Sequence, residues 1–117
     1  MHEKEELAEH IMTLGFNTLD RPWLVMISGD SHMLTYDDGA MNLYGGFPIF
    51  QCSPLDSTPS CKWPAWTQPV ETNRGQYCTF KLTRRANGEQ CLHFTGHTMD
   101  TVVMTHDVCS SEPPRRD

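Results

Sequence analysis

The chain has 117 residues, a net charge of −6 and a pI near 5.4, which suits one small domain with a core of its own. No Lys/Arg cluster exceeds a pair, so the basic footprint of a nucleic-acid-binding surface is missing and no nucleic acid is implied as a partner. The longest apolar runs, residues 23–27 and 102–104, fall far short of a transmembrane segment.

Residues 2–14 predict a surface helix, with Leu7, Ile11 and Leu14 on one stripe and Glu3, Glu5, Glu6 and Glu9 elsewhere. Gly15 is its natural stop. The charged start differs from the basic-then-apolar layout of a secretory signal, and the compartment stays open. After Asp20-Arg21-Pro22, the run Trp23-Leu24-Val25-Met26-Ile27 predicts a buried strand covered on both faces, as in an α/β layer. Residues 28–46, punctuated by Gly29, Gly39, Gly45 and Gly46, read as one long loop, and loops of that length in small domains tend to carry function. Phe47-Pro48-Ile49-Phe50 predicts a short strand, with Pro48 at its start or on an edge. Residues 53–74 carry Pro54, Pro59, Pro64 and Pro69 and read as an extended surface loop, on which Trp63 and Trp66 pack or stack.

The last third changes character. Residues 76–83 alternate, with Cys78, Phe80 and Leu82 on the apolar face. Asn87-Gly88 predicts a tight hairpin turn, residues 90–95 the return strand ending near Gly96, and Val102-Val103-Met104 a third strand. The class expected is therefore α/β: an N-terminal helix, a buried strand, long loops, then an antiparallel meander closing one sheet of a β-sandwich. The domain covers residues 1–109, and residues 110–117 form a polar, fraying tail.

The chemistry-bearing motif is Gly29-Asp30-Ser31-His32, directly past the apolar run. An acid and an imidazole two positions apart at a strand end can address one cation, and neutral histidine is a common ligand. Gly-Asp-Ser is also ordinary turn chemistry. Asp37 and Asp38, before Gly39, either serve a ligand loop or make a solvated turn, and Tyr36 and Tyr44 either line a cleft or pack. Cys52, Cys61, Cys78, Cys91 and Cys109 are odd in number with no Cys-x-x-Cys, so at least one thiol stays free or pairs elsewhere. Cys91, His93 and His97 offer the spacing of a structural zinc site without an evident fourth ligand.

The surrounding residues resemble a known family. Ile27-Ser28-Gly29-Asp30-Ser31-His32-Met33-Leu34, Tyr36-Asp37-Asp38-Gly39, Gly45-Gly46-Phe47-Pro48-Ile49-Phe50-Gln51, Ser53-Pro54-Leu55-Asp56 and Gly75-Gln76-Tyr77 follow one another as in the last block of the PhoD-like metallophosphatases, the alkaline phosphatase D branch of the calcineurin-like phosphoesterases. The likeness reaches from the first helix to about Thr105. It implies the C-terminal part of a metallophosphoesterase-type β-sandwich flanked by helices, and a metal-dependent phosphoric ester hydrolase of phosphatase or phosphodiesterase type. It also implies Asp30 and His32 as metal ligands, with iron, calcium or zinc as the cation. Beyond Asp30-Ser31-His32 itself the chain contains no further Asp-x-His, no Gly-Asp-x-x-Asp and no Gly-Asn-His. The resemblance therefore implies a fragment that contributes one ligand block, has no catalytic residue assigned within it, and shows little activity alone. Its partners would be a small phosphate ester and the missing N-terminal part of the parent domain. The competing readings are a non-catalytic binding module of the same fold and a small Cys/His metal-stapled structural domain.

Overall fold

A computed structural model describes residues 2–14, 23–43, 45–60 and 70–110. It shows α1 (His2–Leu14) followed by β1 (Met26–Ser28), β2 (Leu34–Asp37), β3 (Ile49–Cys52), β4 (Gln76–Arg84), β5 (Gln90–Thr98) and β6 (Thr101–Cys109). The strands form two three-stranded sheets, ordered β1-β3-β2 and β4-β5-β6. In the first, β1 runs parallel to β3 and β2 antiparallel to it. The second is an antiparallel meander. The α/β class is thus observed, with one N-terminal helix and two sheets rich in antiparallel pairing.

Local chemistry explains the meander. Arg85 N–H donates to the Glu89 carbonyl at 2.8 Å and Gly88 N–H to the Arg85 carbonyl at 2.9 Å. Gly88 takes the left-handed conformation (φ 88°) that closes a three-residue hairpin loop, while Asn87 Oδ1 accepts the Glu89 N–H at 3.0 Å. The strands exceed the lengths expected. Gly96 lies inside β5, because the space a side chain would fill is already taken: a Cβ there would stand 2.8 Å from Met104 Cγ and 3.1 Å from Leu34 Cδ2. A bulge between Gly96 and His97 accompanies this close approach.

Between the sheets lies one core, made by Leu34, Tyr36 and Phe50 from the first and Leu92, Phe94 and Val108 from the second. The Phe50 and Phe94 rings are 4.7 Å apart, and Phe80 meets both. Cys78 and Phe80 face this core as the alternation predicts, whereas Leu82, nearer the hairpin, is 61% exposed. Two disulfides answer part of the cysteine question. Cys52–Cys78 ties β3 of one sheet to β4 of the other, and Cys91–Cys109 joins opposed positions on β5 and β6. Cys61, Gly15, Tyr44, Trp63, Trp66 and all of the predicted tail except Ser110 lie outside the described residues. Ser110 itself is tied in, its N–H donating to the Gln90 carbonyl at 2.7 Å and its Oγ accepting the Gln90 N–H at 3.0 Å.

Three expectations need correction. Of the apolar run only Met26 and Ile27 are strand, and they are not buried: Met26 is 39% and Ile27 53% exposed. The pattern of a doubly covered strand is there, but β1 stands at the edge of its sheet with β3 as its neighbour in the ladder. Second, the long loop is interrupted by β2, whose four residues are all buried, Thr35 and Asp37 included. Its far edge is covered where Leu34 and Glu71 exchange two backbone hydrogen bonds of 3.0 and 2.8 Å, so polar residues sit on covered backbone and no alternation appears in the sequence. Third, α1 forms as predicted, yet Leu7 and Leu14 of its stripe are exposed, and of its residues only Ala8 is fully buried.

Replacing Gly96 with Ala is expected to destabilise the chain by about 1–3 kcal/mol through overpacking against Met104 and Leu34, read as a lower urea midpoint. Converting Cys52 and Cys78 together to Ala opens a crosslink spanning 26 residues and should cost about 3 kcal/mol. An unchanged midpoint under non-reducing conditions would remove that crosslink from the stability of the fold.

Candidate metal centre

β1 ends at Ser28, level with Gln51 of its parallel neighbour β3, and Gly29-Asp30-Ser31-His32 turns away just beyond. Carboxyl ends of parallel strands are where open α/β sheets gather ligands. The turn is made with unusual backbone: Asp30 and His32, both with side chains, have φ of 60°. Left-handed conformations at such residues cost on the order of 1–3 kcal/mol each and persist only where the surroundings hold them.

Those surroundings are three hydrogen bonds to the motif's backbone and to Ser31, plus one to the ring of His32. Ser31 Oγ donates to Gln51 Oε1 at 2.8 Å. Ser60 reaches back from the following loop, with its N–H on the His32 carbonyl at 2.7 Å and its Oγ on the Ser31 carbonyl at 2.9 Å. Within the same loop, the Thr58 carbonyl lies 2.7 Å from His32 Nδ1. A carbonyl only accepts, so Nδ1 carries a proton, which in the neutral ring leaves the lone pair on Nε2. Metal-ligating histidines characteristically donate their second ring N–H to a carbonyl or carboxylate in this way.

Asp30 is exposed, and among the described residues its carboxylate has no hydrogen-bond partner. The motif therefore offers one carboxylate and one imidazole nitrogen, donors that fit a cation. Among the described residues no third His, Cys, Asp or Glu joins them. The group of three such ligands that does occur, Glu89, Cys91 and Cys109, has its ligand atoms within 4.8 Å of one another, but both sulfurs are spent in the Cys91–Cys109 disulfide. That bond also removes Cys91 as a thiolate for His93 and His97. Both ring nitrogens of His93 already have partners, Asp107 Oδ1 at 2.8 Å and Thr83 Oγ1 at 2.7 Å. His97 stacks on Tyr77 and meets Thr79 Oγ1 at 3.2 Å.

Asp37, Asp38 and Tyr36 sit elsewhere. Register pairs Asp37 with Ile49, the start of β3, while the motif lies past Ser28, level with Gln51; the rise of a strand puts roughly 7–10 Å between those levels. Asp37 Oδ1 accepts the Met41 N–H at 3.2 Å and Asp38 Oδ1 the Ala40 N–H at 3.0 Å, shaping the turn at Gly39. Tyr36 is a core residue, stacked on His106 at 4.2 Å and edge-on to Phe94. Sequence reasoning missed Gln51, Thr58 and Ser60, since three of the four contacts to the motif end on backbone carbonyls, which no residue type announces. No family model, curated protein or solved structure matches the chain, and the site rests on its own residues.

Burial raises the Tyr36 phenol above its ordinary value of 10.0, and the nearby Asp38 carboxylate adds to the effect. A folded value above the unfolded one gives a contribution fully present below about pH 10 and lost as pH rises through the folded value. An alkaline unfolding series should show that loss in the wild type and less of it in Tyr36→Phe. Equal slopes in both would place the alkaline titration on other groups.

Proposed function

We propose that this chain is the C-terminal part of a metal-dependent phosphoric ester hydrolase of the PhoD-like type, contributing one ligand block, Asp30 and His32. The observation that carries the reading is His32: its Nδ1–H is fixed on the Thr58 carbonyl, its Nε2 has no hydrogen-bond partner among the described residues, and its backbone is held in a costly conformation beyond the end of a parallel strand. Two sheets packed face to face, preceded in the chain by a helix, are in keeping with a metallophosphoesterase sandwich.

The chain's own residues define what it supplies. His32 presents its Nε2 in a fixed direction, and Asp30 presents an exposed carboxyl group. A carboxylate beside an imidazole suits iron, calcium or zinc, with the carboxylate favouring the harder cations. A cation held there supplies positive charge for the phosphoryl oxygens of a small mono- or diester and acidifies water. Two donors cannot complete a two-metal centre, so further ligands come from another part of the parent domain. Met26 and Ile27, exposed on the edge strand that leads into the motif, favour that reading: an apolar edge next to an incomplete ligand set is a surface built to be continued.

The isolated chain should bind zinc or calcium weakly, His32→Ala should abolish that binding, and Asp30→Ala should weaken it. Turnover of p-nitrophenyl phosphate and bis-p-nitrophenyl phosphate should be slight and fall to background in His32→Ala. Titration calorimetry showing equal cation affinity in wild type and His32→Ala would overturn the reading.

A further inference from the structure

We infer that Ser60 is a positioning residue, a latch that selects which ring nitrogen His32 offers to a ligand. The inference rests on the metal-centre reading for its purpose, but its geometry stands by itself. Ser60 makes two bonds to consecutive carbonyls of the motif, N–H to His32 at 2.7 Å and Oγ–H to Ser31 at 2.9 Å. Two residues earlier in the same loop is Thr58, whose carbonyl receives the His32 Nδ1–H at 2.7 Å. With Ser60 clamped to the backbone that carries the ring, Thr58, two residues earlier, is kept beside the imidazole, and its carbonyl faces Nδ1. The loop thereby acts on the imidazole from both sides, backbone and ring.

The clamp is also anchored from below. Ser31, whose carbonyl receives the Ser60 hydroxyl, sends its own hydroxyl to Gln51 Oε1 at 2.8 Å. Gln51 is in β3, the central strand of its sheet, opposite both Ser28 and Thr35. A path of hydrogen bonds thus runs from the middle of the sheet through Ser31 and Ser60 into the loop that orients His32. His93 and His97 differ in kind: they meet side-chain hydroxyls or a carboxylate, and His93 has no ring nitrogen to spare. His32 has a ring nitrogen fixed by a backbone carbonyl, the arrangement that leaves the opposite nitrogen available in one defined tautomer.

The test reads the ring directly. Nitrogen–proton correlation spectra of the wild-type imidazoles should show His32 as a single Nδ1–H tautomer without any added cation. Ser60→Ala keeps the backbone bond but loses the hydroxyl, and should show a mixture of tautomers at His32 while His93 stays unchanged. Zinc affinity, measured by calorimetry on the same proteins, should fall about ten-fold or more, and Ser60→Thr, which restores a hydroxyl, should recover both readouts. If Ser60→Ala fails to fold, Ser60→Gly serves in its place with the same expected outcome. A pure Nδ1–H tautomer in the hydroxyl-less variant would overturn the latch. A tautomer that shifts as expected in a chain that binds no zinc would leave the latch standing and remove the metal-centre reading.

Discussion

Leu34 pressed against the bare Cα of Gly96 is the contact on which the rest of the molecule depends. Leu34 belongs to one sheet and Gly96 to the other, and a Cβ at Gly96 would lie within 3.2 Å of both Leu34 methyl carbons. That closeness lets Phe50 and Phe94 bring their rings to 4.7 Å, a separation typical of a favourable tilted pair. It also leaves Cys52 and Cys78 near enough to bond across the sheets. Since Leu34 begins β2 and pairs with Cys52 at the end of β3, the same contact fixes the end of the first sheet from which the Asp30–His32 turn is braced. Core packing and site geometry are thus set at one place.

The turn itself stores energy. Asp30 and His32 both occupy a backbone region that residues with side chains avoid, and an isolated Gly-Asp-Ser-His segment would relax. Here the relaxation is blocked from two directions, by Gln51 on the sheet and by Ser60 from the following loop. The exposed third φ outlier with a side chain, Met99, behaves differently: it lies in the tight turn between β5 and β6, its N–H donates to the Gly75 carbonyl at 2.8 Å, and ordinary hairpin geometry accounts for it. Strain at Met99 is explained by a turn of two residues between long strands. Strain at Asp30 and His32 falls in the short connection between Ser28 and Leu34, on two side chains with chemistry to offer.

How much of this was legible depended on where each element's partners lie in the chain. The meander was readable because its determinants are local: alternation at Cys78 and Phe80, a turn at Asn87-Gly88, return strands nearby. The helix was readable from spacing for the same reason. β2 was invisible because its four residues are buried whatever their polarity, Thr35 and Asp37 as much as Leu34 and Tyr36, and cover supplied by Glu71, distant in sequence, leaves no period behind. β1 misled in the opposite sense, its apolar run reading as a covered strand while Ile27 stands in the open. At the site, Asp30 and His32 could be picked out by residue type. Thr58 could not, because its contribution is a carbonyl that every residue owns.

These mismatches meet at β1. The strand that is too apolar for its exposure is also the strand that leads into the proposed metal centre, whose two donors fall short of a full ligand set. Each shortage taken alone has an ordinary explanation, since single exposed apolar side chains are common and short Asp-x-His motifs arise by chance. On the metal-centre proposal the two have one geometric reading. A strand paired along the outer edge of β1 would shield part of Met26 and Ile27, and its carboxyl end, if parallel, would arrive beside Gly29 and Asp30. On the metal-centre proposal, one paired strand would thus reduce the exposure and bring further donors to the turn.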